Sequence, residues 1–360
     1  MPDPIVTLTR CGDYSQPKIA EALQRQFELI GGLEKFVRPG DSVLLKPNFI
    51  APKSRHHATQ TDPAVVIETA RLLKDFGARP FVGDSPAWGN VFGCVKALKL
   101  EEPLKRLSVP VRQLDKPKWC RIGKGLTTKN AESAEKEKKM DSCFCRNDKT
   151  KNSAASANSA VRAIVGISSV ALDADVIINL PKFKTHQQLV ATFAVKNMFG
   201  CVSGKRKALW HFRRGKNSDD FCELLIEIFK FLNPVFTIID AVWVMDGRGP
   251  IRGRARPLGW LIGGTEPIAC ETICAKLVNI KPEYVPIIKT ARQIGFGCSD
   301  GDKIEILGDD FSEKICTDFE LAQPTPLMFS LPHVCKSICK QILLLAKSAV
   351  KIKPQRPQRV

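Results

Sequence analysis

No stretch of the 360 residues reaches the roughly 18 consecutive apolar positions that a membrane-spanning helix needs. The first residues, MPDPIVTLTRCGDY, carry no basic segment followed by an apolar one, so no secretory leader is expected in them. The 13 cysteines include no Cys-x-x-Cys pair, which removes zinc-ribbon and ferredoxin-type spacing and leaves no metal site to predict. The spacings that do occur are Cys143 with Cys145, Cys270 with Cys274, and Cys335 with Cys339. Cys270 and Cys274 share one apolar helical face in IACETICAKL and read as buried thiols. An odd number of cysteines without a leader speaks against a disulfide framework, so reduced thiols and a cytoplasmic location are expected. Also missing are a Gly-x-Ser-x-Gly elbow, a Gly-x-Gly-x-x-Gly loop and a Walker A sequence. No repeat of fixed period is present, and from Leu321 onward there is no acidic residue.

What is present begins with an ordinary apolar share of 44% and an unusual formal charge of +18. Such an excess favours acidic partners: nucleic acid, an anionic membrane surface, or phosphorylated and carboxylated metabolites. Solvated surface lysines are the plain alternative. Nucleic acid is the least expected of the three, because the aromatics are not interleaved with the lysines and no nucleic-acid motif occurs.

Four short apolar runs read as strands that end in polar steps: Ser42–Leu45, Pro80–Val82, Asp175–Asn179 and Phe236–Ile239. Between the first two lies a helical stretch, Pro63–Phe76, with Asp62 as N-cap, Pro63 at the first helical position and Gly77 as the stop. Strand, helix and strand with short connections predict a βαβ unit. The fold class is therefore α/β, a mainly parallel twisted sheet covered by helices. In such sheets ligands sit beyond the carboxyl ends of the strands, where this sequence places its unusual polar residues. Residues from about 116 to 160, with NAESAEKEKKMD and NDKTKNSAASANSA, read as a lysine-rich, flexible surface insertion. The expected organisation is an α/β domain over 1–320, then a basic helix and tail over 321–360. In the tail, Val334, Ile338, Ile342, Leu345 and Ile352 at helical spacing among lysines suggest an amphipathic helix, either packed on the domain or in peripheral contact with a membrane.

The densest constellation is Asn179-Leu180-Pro181-Lys182-Phe183-Lys184-Thr185-His186, followed by Lys196-Asn197, Lys205 and His211. Lysines leaving one strand end supply charge-assisted donors for phosphate or carboxylate, and crowding lowers the pKa of a lysine among them. Candidate ligand-binding residues are Lys46, Asn48, Asp84, Ser85, Lys182, Lys196, Asn197, Lys205 and Asp240. His186, Lys184 and His211 are candidates for proton transfer or amine chemistry. Asp84 and Asp62 have plainer readings as turn and cap residues. Asp240 and Asp246 bracket DAVWVMDGRGP without a spacing that defines a role.

The segments LLKPNF, TQTDP, VGDSP, ADVIINLPKFKTH, AVKNMFG, the later His211 and IIDAVWVMDGRGP, in this order, resemble the family called domain of unknown function 362. The resemblance runs from about Asp41 to Asp318. It implies an α/β fold and points to Lys46, Asn48, Asp84, Lys182, Lys184, His186, Lys196, Asn197 and His211 as motif positions, without supplying a reaction. Many relatives continue into a ferredoxin-like module with two four-iron clusters, whereas this sequence ends near Lys353-Pro354-Gln355. A redox role would then need a separate electron-transfer partner, or an iron–sulfur cluster built from scattered cysteines. In GGTEPIACET, Glu266 and Glu271 stand where aspartates are expected. The resulting expectation is an enzyme on an anionic metabolite, with redox-linked chemistry suggested by the resemblance. An iron–sulfur electron-transfer protein and a non-catalytic nucleic-acid or anion binder are the alternatives.

Overall fold

A computed structural model describes residues 3–54, 58–123, 161–204, 206–312 and 315–328. The chain opens with β1 (Ile5–Arg10), α1 (Gln16–Leu29), β2 (Ser42–Pro47), α2 (Pro63–Asp75) and β3 (Arg79–Asp84). It continues with α3 (Val91–Ala97), α4 (Glu101–Arg106), β4 (Val111–Gln113), β5 (Pro117–Gly123), β6 (Val161–Ser168), α5 (Ser169–Leu172), β7 (Val176–Leu180), β8 (Lys182–His186) and β9 (Val190–Thr192). Then come α6 (Ala194–Asn197), α7 (Arg206–Arg214), α8 (Ser218–Leu232), β10 (Phe236–Asp246), β11 (Arg254–Gly264), α9 (Pro267–Leu277), α10 (Pro286–Gln293) and β12 (Glu305–Gly308).

The main sheet has the order β12-β1-β11-β10-β7-β2-β3-β4, with β8 joining β10 and β9 joining β8. β10, β7, β2, β3 and β4 are mutually parallel, which confirms the α/β reading. The four strands expected from sequence are thus adjacent, and their carboxyl ends form one edge. Alternation dictates which layer each residue enters. Val43 and Leu45 join the core under α1 and α2, while Leu44 joins the core that includes α8 and α9. Phe81 and Val82 divide in the same way, as do Ile177 and Ile178.

α2 forms as its sequence predicts. Asp62 Oδ1 accepts from Ala64 N at 2.9 Å, Pro63 occupies the first turn, and Gly77 takes φ +93° just past the end. The strands run further than their apolar runs suggest, because Lys46 and Asp84 are themselves strand residues. The insertion is narrower than its composition suggests at its start. Residues 117–123 form β5, which pairs antiparallel with β6 from Trp119↔Gly166 to Arg121↔Ile164, because Cys120, Ile122, Val165 and Ile167 bury one face of that ribbon. Residues 124–160, Lys205 and the expected C-terminal helix lie outside the described residues.

Candidate functional site

The parallel register sets Lys46 beside Asn179 and Asp240 beside Lys182. Lys46 and Asp84, with side chains 1% and 3% exposed, form an ion pair at 2.9 Å. Lys46 Nζ also donates to the Pro47 carbonyl at 2.7 Å, and Asp84 accepts from the Phe49 and Ser85 backbone N–H groups. Gly200 closes over this pair: a Cβ there would come within 2.6 Å of Asp84 Oδ1 and 2.7 Å of Lys46 Nζ. The geometry demands glycine. Ser85 Oγ accepts from Gly204 N at 3.2 Å, and its carbonyl accepts from Lys207 Nζ.

At the neighbouring strand, Lys182 Nζ donates to Asp240 Oδ2 at 2.8 Å and to Tyr14 Oη at 2.6 Å, while Tyr14 Oη donates to Asp240 Oδ1 at 2.7 Å. Asp62 N also donates to Asp240, at 2.8 Å. Burial, together with Asp240 and Asp62, pushes the Tyr14 phenol well above its ordinary range. Every oxygen of Asp240 is engaged, so this group fastens β8, β10 and the start of α2 together.

Two asparagines bridge the strand ends to α6. Asn197 Nδ2 donates to the Lys46 carbonyl at 2.9 Å and to Asn179 Oδ1 at 2.8 Å. Asn48 Nδ2 donates to Asn197 Oδ1 at 3.0 Å. Thr61 Oγ1 donates to the Leu180 carbonyl at 2.6 Å and accepts from Asn48 N at 2.8 Å.

The remaining cations are arranged differently. Lys184 Nζ donates to Asn48 Oδ1 and, at 2.8 Å, to the Thr59 carbonyl; among the described residues it meets no carboxylate. Lys196, on α6, has no hydrogen-bond or ion-pair partner among the described residues. Burial lowers its pKa to about 8. Burial first, then Lys196 and Lys182, hold Lys184 well below the ordinary lysine range. His186 is likewise held well below its usual value by burial, Lys196 and Lys184. His211 falls to about 3 through burial and Lys196, partly opposed by the Leu327 carbonyl. Lys196 is therefore the charge common to the other three.

Both imidazoles are neutral near pH 7, and their partners assign opposite tautomers. His186 Nδ1 accepts from Gln188 N at 3.1 Å, so its proton sits on Nε2. His211 Nδ1 lies 3.3 Å from the Leu327 carbonyl, which can only accept, so its proton sits on Nδ1 and Nε2 carries the lone pair.

The structure thus brings together Lys46, Asn48, Asp84, Ser85, Lys182, Lys184, His186, Lys196, Asn197, His211 and Asp240, while Lys205 is outside the described residues. Asp246 pairs instead with Arg254 at 3.3 Å and Arg256 at 2.9 Å. Tyr14 and Lys207 escape sequence reasoning, whereas Thr61 and Gly200 fall inside the motifs TQTDP and AVKNMFG without an assigned role; Tyr14 carries the faint signal of being one of 2 tyrosines. Of the two departures in GGTEPIACET, Glu266 caps α9 by accepting from Ile268 N and Ala269 N. Glu271 reaches across to accept from Val195 N at 2.8 Å and so caps α6, with its pKa raised by burial to about 8. Two surface clefts, about 530 Å³ beside Phe92 and Leu104 and about 250 Å³ beside Thr9 and Arg25, are lined by none of these residues.

Cys143, Cys145, Cys335 and Cys339 lie outside the described residues. Among the described residues seven cysteines are buried and two half-buried, all free, and no group of three His, Cys, Asp or Glu converges on one point. No helix among them is long and apolar enough to cross a membrane.

A thylakoid-associated protein of Synechocystis sp. is 30% identical over 340 residues, covering 94% of each chain. The lactate racemase apoprotein from Thermoanaerobacterium thermosaccharolyticum superposes with a TM-score of 0.42 at 16% identity, over 78% of this chain and 58% of that one. A likeness at that level fixes no chemistry. Residues 43–146 and 132–276 match the family described as Domain of unknown function (DUF362), which includes the strand-end lysines, the asparagines and both histidines, and the chain belongs to that family.

Proposed function

We propose that the lysine–histidine cluster binds a phosphate or carboxylate group and that the protein is an enzyme acting on the metabolite that carries it. The observation behind this reading is an asymmetry among four lysines. Lys46 and Lys182 each meet a buried carboxylate, whereas Lys184 and Lys196 meet none among the described residues. Uncompensated cations in a desolvated place are costly, and an anion between them reverses that cost. In this reading Lys184 and Lys196 hold the anion, and Asn48 and Asn197 orient it. Lys46, Asp84, Ser85, Lys182 and Asp240 fix the strand ends. His186 Nε2–H donates a hydrogen bond to the oxygen on which charge develops, and His211, neutral beside Lys196, lines the same site.

A redox-linked reaction, drawing electrons from a separate partner protein, rests on the family resemblance alone. The free thiols fit a reducing, cytoplasmic setting. The relative's description as thylakoid-associated is compatible with a cytoplasmic protein held at a membrane surface.

The test is a thermal-shift screen of inorganic phosphate and of phosphorylated and carboxylated metabolites against wild type, Lys184→Ala and Lys196→Ala. Stabilisation of wild type that disappears in both variants supports the reading. Undiminished stabilisation in both variants, or none in wild type, removes it.

A further inference from the structure

We propose that the outward face of α7, together with the β5–β6 ribbon, is a docking surface for an anionic lipid bilayer. The ribbon turns Cys120, Ile122, Val165 and Ile167 into the core and leaves Trp119 55% and Ile164 47% exposed on its other face, beside Arg121. α7 does the same at helical spacing. Trp210 and His211 face inward, and Leu209 and Phe212 are 42% and 44% exposed. Apolar side chains of this size, grouped on one surface, mark an interaction site.

The two faces are continuous. The Arg206 guanidinium lies over the Trp119 ring at 5.1 Å, and a Cβ on Gly166 would come within 3.0 Å of Arg206 Cδ. Ser203 N donates to the Gly166 carbonyl at 3.0 Å and Ile167 bridges to Val202, which pins the entry to α7 against the ribbon. Leu209 follows Arg206 by three residues and shares its side of the helix.

Charge decides the kind of partner. Among the described side chains of β5, β6 and α7 are six lysines and arginines, Lys118, Arg121, Arg206, Lys207, Arg213 and Arg214, and no acidic residue. Of these, Lys207 turns inward to Ser85 and Arg214 pairs with Asp220, while Arg213 is exposed beside Phe212. A basic surface with an aromatic and aliphatic centre matches the headgroup region of an anionic bilayer, with α7 lying flat in the interface. Trp119 and Phe212 alone would suit stacking on a single strand, whereas Ile164 and Leu209 beside them are the aliphatic anchors that an acyl boundary takes. α7 carries His211 and Lys207 on its inner side, so a bilayer seated on its outer side would lie one helix diameter from the anion cluster.

The test is co-sedimentation of the full chain with phosphatidylcholine vesicles, with and without phosphatidylglycerol, for wild type, Arg213→Glu, and the double variant Leu209→Ser with Phe212→Ser. Circular dichroism and melting verify each fold; Arg213→Glu, at an exposed position, keeps the test valid if the double variant unfolds. Wild type is expected to pellet only with phosphatidylglycerol vesicles, with added salt releasing it. Arg213→Glu is expected to weaken partitioning by about tenfold or more, from about 1 kcal/mol per basic residue and a full charge reversal. Three results would overturn the proposal: no pelleting of wild type, pelleting unchanged in the folded variants, or single-stranded RNA binding lost in those variants without any lipid binding.

Discussion

Replacing Lys196 with methionine should separate stability from binding, with opposite signs. Lys196 is half-buried, lacks a hydrogen-bond or ion-pair partner among the described residues, and has its pKa lowered by burial from 10.5 to about 8. A depression of that size corresponds to roughly 3 kcal/mol, at about 1.4 kcal/mol per tenfold change in proton affinity. Residual solvent access and screening reduce it to about 1–2 kcal/mol. Between pH 8 and the ordinary lysine range the unfolded state holds more protons than the folded one, so stability rises with pH across that window. Below about pH 8 the full penalty is present. Methionine keeps length and volume without charge, so Lys196→Met is expected to gain about 1–2 kcal/mol at pH 7 and to flatten the alkaline rise. The substitution also relieves Lys184, which Lys196 depresses. Saturating phosphate should stabilise wild type by about 2.7 kcal/mol at a hundredfold excess over Kd, and this should vanish in the variant. Urea unfolding followed by circular dichroism, at pH 7 and pH 10 with and without phosphate, measures all of these. A variant less stable than wild type at pH 7, or one that keeps its phosphate response, refutes the reasoning.

Gly200→Ala should lose about 1–3 kcal/mol, because its methyl group meets a buried ion pair that has nowhere to go; an unchanged urea midpoint would contradict this. Asp240→Asn should cost about 3 kcal/mol or more by leaving Lys182 buried without its counter-charge, and a loss below 1 kcal/mol would show that Tyr14 and Asp62 do not depend on it. His211 titrates near 3 in the folded state and near 6.5 unfolded, so its contribution weakens stability progressively as pH falls from about 6.5 toward 3. His211→Phe, whose ring suits the Phe199 and Phe221 surroundings, should flatten that acid limb, as pH-dependent melting would reveal.

Much of this was legible from local pattern. Apolar runs located the four central strands, Asp62-Pro63 and Gly77 bounded α2, and the polar residues after each run gave the strand-end edge. The lysines at the cluster were readable as residues but not as partners. Nothing local distinguishes Lys182, paired with Asp240, from Lys184, which meets the Thr59 carbonyl, because both partners come from distant segments. The tautomers of His186 and His211 depend on a backbone N–H and a backbone carbonyl, which carry no side-chain signature. The ribbon of β5 and β6 was obscured because the lysine-rich composition between the two strands masks the alternation that starts at Pro117.

The spatial order of the strands also bears on how the chain is made. β2 finds β7 as its neighbour, and Ser42 N donates to Asp175 Oδ2 across 133 residues of chain. At a synthesis rate of roughly 5–20 residues per second, β2 waits roughly 7–27 s for that partner. Throughout that interval the Val43-Leu44-Leu45 edge is unpaired on one side, and β10, which completes the site, emerges later still. Non-local parallel pairing of this kind folds slowly, so soluble yield should depend on temperature, translation rate and chaperone supply.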